Sequence, residues 1–283
     1  MSTIHIDLLG TETRFHDTGK HRTRCIEAGS GPALFAFHGG GGHAETYARN
    51  MTRLATRNRV IAPDFIWHGM SSKPAFQSGN WLKQFTGQIL DLMDHLGIEK
   101  ASFEGESLGG WIVMDLGIHH PDRVEKLILN TAWGMNLGSD KAEDLSALRE
   151  TSLNALRNPS RELIRKRLEW LMPLGGVTEE LIDLRVKLWS DLATRESLTG
   201  YYERLFAPEC EHFLYTLDDL ARIKAPTLLL WTEKNPIAGP EAAFAMHEVI
   251  KNSSVHIVKD AAHWPQWERP EEHDRVVLDF LAK

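Results

Sequence analysis

This sequence predicts an α/β fold: a mostly parallel central sheet flanked by helices, with a helical cap inserted into it. Three observations carry that prediction. Short apolar strands alternate with helical segments through the first half and again near the C-terminus, which calls for parallel strands joined by right-handed crossovers. Between these regions, residues 135–219 are charged, rich in Leu, Arg and Glu, and carry no convincing strand. Finally, Gly105-Glu106-Ser107-Leu108-Gly109 stands between a strand-like and a helix-like segment. The expected division is a core of residues 1–134 and 220–283 with a cap of residues 135–219.

The first expected strand, Ala33-Leu34-Phe35-Ala36-Phe37, ends at the run His38-Gly39-Gly40-Gly41-Gly42. A helix over 44–56 follows, then the strand Arg59-Val60-Ile61-Ala62, closed by Pro63-Asp64. Leu82, Phe85, Ile89, Leu92, Met93 and Leu96 recur at helical spacing, so a helix is expected over 81–96, with Gly97 ending it. Ala101-Ser102-Phe103-Glu104 reads as a buried strand, followed by a helix to about His120 and the strand Val124–Leu129. The cap reads as helices near 140–157, 160–171, 178–193 and 195–204. Alternation then resumes with the strand Thr227–Trp231, a helix over 240–250, the strand Val255–Val258 and a last helix to Leu281.

Composition narrows the function. The chain of 283 residues is 42% hydrophobic and 25% charged, enough for a large core and against disorder. A net charge of −7 with scattered Lys and Arg excludes a nucleic-acid surface, which requires basic clustering. Cys25 and Cys210 stand far apart with no CxxC or metal spacing, and no His pair has the HExxH arrangement, so neither a disulfide framework nor a metal is expected. The N-terminal residues lack the basic and apolar regions of a signal peptide, and no apolar run approaches the roughly 18 residues that span a bilayer. The expectation is a cytoplasmic protein without a cofactor, acting on a small-molecule substrate, with no nucleic-acid or membrane partner. A homodimer is left open.

The chemistry centres on Ser107. A serine on a sharp strand-to-helix turn adopts a strained backbone that lifts its hydroxyl clear of the sheet. Glycines two residues to either side avoid a collision across the turn, and the Leu108 N–H sits at a helix N-terminus, where it can stabilise an anion. The glycine run after His38 also ends a strand at the sheet's carboxyl edge, where backbone N–H groups can face a developing oxyanion. The base for Ser107 must be a downstream histidine. His263, in the turn Asp260-Ala261-Ala262-His263-Trp264-Pro265 between the last strand and last helix, is the candidate among 14 histidines. The third member belongs in Thr232-Glu233-Lys234-Asn235-Pro236, and the position expected to hold aspartate is Asn235. Its carbonyl can accept from imidazole but brings no charge, and the same exchange in a serine-protease triad lowers turnover by roughly 10⁴. Glu233 and Asp260 are alternative carboxylates.

With these residues in place the chain resembles the α/β-hydrolase superfamily along essentially its whole length, which implies the α/β-hydrolase fold. Asp64-Phe-Ile-Trp-His-Gly-Met-Ser71 is similar to the superfamily's D-x-x-G-H-G-x-S turn, with Trp67 where glycine is usual. Within the superfamily it most resembles the meta-cleavage product hydrolases, which split carbon–carbon bonds in vinylogous diketones from aromatic ring fission. The match rests on His263-Trp264-Pro265-Gln266-Trp267-Glu268, on the glycine loop from His38, and on the cap segment Thr178–Arg185. The resemblance implies that Ser107 and His263 do the chemistry, with Asn235 at the triad-acid position and the Gly40 and Leu108 N–H groups as the oxyanion hole. It also implies substrate contacts from Gly41, Arg185 and Trp264, and from Glu106, which stands where the family has asparagine. The alternatives are a carboxylesterase or lactonase acting on a small apolar ester, and a catalytically weakened homologue that only binds its ligand.

Overall fold

The computed structural model describes residues 3–136 and 142–283. Its sheet comprises β1 (Glu12–Asp17), β2 (Arg22–Ala28), β3 (Ala33–Phe37), β4 (Arg59–Pro63), β5 (Ala101–Glu106), β6 (Val124–Asn130), β7 (Thr227–Thr232) and β8 (Ser253–Val258). The spatial order is β1-β2-β4-β3-β5-β6-β7-β8. Strands β3 to β8 pair in parallel, whereas β1 and β2 form an antiparallel edge and β2 runs antiparallel to β4. The register sets Phe37 beside Gly105 and Glu106 beside Asn130. The carboxyl ends of β3, β5 and β6 are therefore level, and the loops that follow them gather at one edge.

The core follows from strands buried on both faces. Phe35 stacks on Phe103 at 5.5 Å between ring centres, and Phe37 meets Phe65 at 5.2 Å. Helix Leu108–His119 is buried on all sides from Leu108 to Ile118, which requires it to approach the sheet closely. A Cβ on Gly109 would stand 2.5 Å from the Phe37 carbonyl oxygen. Helix Leu82–His95 packs the apolar face that its spacing predicts, through Leu82, Phe85, Ile89, Leu92 and Met93.

Between β6 and β7 the chain forms helices Ala142–Arg157, Arg161–Leu171, Glu179–Ser190 and Leu192–Leu205. The expected start of the first at residue 140 lies outside the described residues. Ser160, Thr178 and Asp191 cap the other three, each accepting from a backbone N–H three residues on. The cap at Asp191 is why the third helix stops at 190 rather than at 193. The excursion begins and ends side by side: Tyr215 N–H donates to Gly134 O and Asn136 N–H to Tyr215 O, both at 2.9 Å.

Two further expectations are corrected. The segment 44–56 is not one helix but a 3-10 turn, Ala44–Tyr47, and a short helix, Met51–Leu54. The edge strands β1 and β2 were unforeseen. Strand β1 is almost wholly exposed, and β2 buries Arg24 and Glu27 along with Cys25 and Ile26, so neither shows an apolar rhythm.

Candidate active site

Ser107 has φ 54° and ψ −114°, a conformation that L-residues adopt only under strain. Any Cβ on Gly105 would collide with the Gly109 carbonyl across the turn. The Ser107 carbonyl accepts from Trp111 N–H at 3.2 Å and Trp133 N–H at 3.1 Å, which fixes the elbow from both sides. Leu108 is the first helical residue, so its N–H has no acceptor within the helix and carries the positive end of the helix dipole.

The glycine loop is held by His38, whose Nδ1–H donates to Gly39 O at 2.7 Å while Nε2 accepts from Phe65 N–H at 3.1 Å. That pairing is the neutral ring, and burial pushes its pKa down to about 4. Gly39 O also accepts from Gly42 N–H at 2.9 Å. Across a trans peptide the Gly40 N–H then points the opposite way, out of the loop. Behind the loop, Arg24 pairs with Glu45 and with Asp64 (3.1 Å), and Asp64 accepts from the N–H groups of Ala44 and Met70 at 2.8 Å each. Trp67, in the position where glycine is usual, takes φ 66° and offsets that strain by stacking on Phe76 at 4.0 Å.

His263 is buried, with Nδ1 2.9 Å from Asn235 Oδ1. Asn235 Oδ1 also accepts from Ile237 N–H at 3.1 Å, which orients the amide with oxygen toward the ring. The ring therefore carries its proton on Nδ1 and leaves Nε2 as the acceptor. Neither alternative carboxylate reaches it: Glu233 and Asp260 are both exposed, with Asp260 at 77% side-chain exposure. The turn around His263 is held by Glu268, which accepts from Ala262 N–H and Trp264 N–H at 2.9 Å each, and by Thr131, which donates to His263 O at 2.9 Å. On the other side, Nε2 lies 3.1 Å from Glu106 Oε1.

One cavity is lined by Ser107, His263, Gly40, Leu108, Glu106 and Trp264 together with Arg167, Tyr201 and Tyr202 from the helices above. Two of the expected contacts do not line it. Gly41 turns instead toward Tyr202 and Trp189, and its carbonyl accepts from Trp189 Nε1 at 3.3 Å. Arg185 lies behind, 5.5 Å over Trp189 and 5.8 Å over Trp264. It is fully buried and none of its three nitrogens has a hydrogen-bond partner. Burial, then Arg167, lower its pKa to about 9. Arg167 and Tyr202 escaped sequence reasoning; both hold the Gly40 carbonyl, at 3.2 and 3.0 Å, and no local pattern marks them.

A second buried cluster lies beneath this site. His273 Nε2 pairs with Glu104 (2.6 Å) and Nδ1 with Asp274 (2.9 Å), and Arg53 reaches Asp274 at 2.6 Å. Despite burial, the two carboxylates raise the His273 pKa to about 10. A raised histidine stabilises fully below its unfolded value near 6.5 and loses that contribution as pH climbs toward 10. His38, lowered, does the reverse and loses its contribution as pH falls from 6.5 toward 4. Unfolding free energy is therefore expected to peak near pH 6.5, and His273→Gln to flatten the alkaline limb selectively, as chemical denaturation across pH 5–10 would show. Away from the cavity, His16, Cys25 and Glu27 bring potential ligand atoms within 4.8 Å of one another, but Glu27 already pairs with Arg59 at 3.2 Å.

Known proteins share this fold. The family model described as the alpha/beta hydrolase fold matches residues 32–270. The chain belongs to that family. Among its relatives, the 2-hydroxymuconate semialdehyde hydrolase of Pseudomonas putida is 27% identical over 282 residues, covering 97% of this chain and 92% of the relative. The 2-hydroxy-6-oxononadienedioate/2-hydroxy-6-oxononatrienedioate hydrolase of Paraburkholderia phymatum is 29% identical, covering 97% and 93%. The solved 2-hydroxy-6-oxo-6-phenylhexa-2,4-dienoate hydrolase from Rhodococcus sp. strain RHA1 superposes with a TM-score of 0.84 at 23% identity, covering 96% and 99%, and so shares the fold. The chain is thus a hydrolase of the α/β-hydrolase family. No helix among its described residues is long and apolar enough to cross a membrane.

Proposed function

We propose that this α/β-hydrolase is a cytoplasmic, cofactor-independent enzyme that cleaves the carbon–carbon bond beside a carbonyl in a vinylogous diketone of the aromatic ring-fission type. Residues 135–219 act as a cap over a core of 1–134 and 220–283. The observation that carries the reading is Arg185: a fully buried guanidinium without a partner, stacked between two tryptophans next to the Ser107–His263 cavity. A simple ester does not require such a charge, whereas a dienoate supplies the carboxylate it lacks. The names of the relatives speak for the same chemistry.

In this reading His263, held as the Nδ1–H tautomer by Asn235, manages ketonisation of the dienol. Ser107, or water activated by His263, then attacks the carbonyl, and the oxyanion rests on the Gly40 and Leu108 N–H groups. Trp264 forms one wall for the planar substrate. Gly41 shapes the loop from behind, beneath Trp189. Labelling with a fluorophosphonate tests for a working nucleophile: covalent modification at Ser107, lost in His263→Ala, is expected. An unmodified Ser107 would instead favour a protein that only binds its ligand.

A further inference from the structure

Glu106 is buried, and neither of its carboxylate oxygens has a hydrogen-bond partner. It is the last residue of β5, next to the elbow, so its position is fixed by the same strand that carries Ser107. The loop makes room for it: a Cβ on Gly39 would stand 2.9 Å from the Glu106 Oε1 and Cδ atoms. Its close ionisable neighbour is His263, with Nε2 at 3.1 Å. Arg185, Tyr47 and Tyr201 also feel its charge. Keeping a carboxylate this buried ionised is costly unless it meets an opposite charge. The imidazole has the complementary deficit, because Asn235 on its far side is neutral.

We propose that Glu106, and not residue 235, supplies the negative charge that balances His263 when it accepts a proton. This rests on the Ser107–His263 reading above. As Oγ attacks the substrate carbonyl carbon, the Oγ–H proton moves to Nε2 and the carbonyl π pair moves to oxygen. The imidazolium then formed has Asn235 Oδ1 accepting at Nδ1 and the Glu106 carboxylate beside Nε2. The same proton leaves with the departing carbon as the carbon–carbon bond breaks. Glu106 is in this sense a positioning residue: it acts on the substrate through His263, and the charge that a triad acid holds at Nδ1 stands here at the Nε2 edge of the ring.

The test compares the unchanged protein, Glu106→Gln, Asn235→Asp and the double variant, reading Ser107 fluorophosphonylation rate and turnover of a ring-fission dienone. Glu106→Gln is expected to slow both by at least about 100-fold with KM within about threefold, because charge and not substrate affinity is lost. Asn235→Asp is expected to restore at least about tenfold in the Glu106→Gln background and to add less than about threefold otherwise. Glu106→Asn, smaller and equally neutral, is carried through the same comparison with thermal unfolding, so that a folding defect is separated from a lost charge. Equal rates with and without the carboxylate, or the same gain from Asn235→Asp in both backgrounds, would overturn the proposal and leave the Ser107–His263 reading standing. No labelling of the unchanged protein would overturn both.

Discussion

Ser107→Ala is expected to lower kcat/KM by on the order of 10⁴ to 10⁶ while leaving substrate binding and folding nearly intact. The elbow explains why the loss is so large and so local. Its strain of about 1–3 kcal/mol is held by the backbone, through the Trp111 and Trp133 N–H groups and the glycines around it. Removing the hydroxyl therefore deletes the nucleophile without releasing the turn. The Gly40 and Leu108 N–H groups persist and supply whatever catalysis remains. Steady-state kinetics with equilibrium binding to the inactive variant checks this. A rate that survives the substitution would assign the attack on the carbonyl to water activated by His263.

Arg185→Met carries the second large effect, and its two parts run in opposite directions. Burying an unpartnered guanidinium is costly, so an apolar side chain of similar volume is expected to stabilise the ligand-free protein by about 1–3 kcal/mol. The same change removes the charge that would meet a substrate carboxylate, so KM for an anionic dienone is expected to rise about 100-fold. A neutral aryl ester should scarcely notice. Thermal unfolding beside the two KM values tests this. Destabilisation with equal loss on both substrates would mean that Arg185 is a packing post for Trp189 and Trp264, not a binding group.

The sheet from β3 onward was legible because its strands are apolar runs set between helical spacings, and the elbow because glycine and serine positions there follow from steric necessity. His263 and Asn235 were legible by place, since each follows a strand at the carboxyl edge. The antiparallel edge was not, because β1 is solvent-exposed and β2 hides an arginine whose partners, Glu45 and Asp64, lie 21 and 40 residues away. The split of the cap at Asp191 depends on one side chain capturing the Thr194 N–H rather than on any change in periodicity. The approach of Glu106 to His263 spans 157 positions in sequence, and only the fold brings them to 3.1 Å. Sequence showed that Glu106 was unusual, but its neighbour had to come from the structure.

Product analysis decides whether this cavity breaks a carbon–carbon bond. A ring-fission dienone and a p-nitrophenyl ester are incubated in parallel with the protein, following loss of the dienone chromophore and identifying both fragments. Stoichiometric formation of a carboxylic acid and a shorter enol or keto acid is expected, abolished by Ser107→Ala and faster than hydrolysis of the ester. Rapid ester turnover with an intact dienone would contradict carbon–carbon cleavage and make the enzyme an esterase.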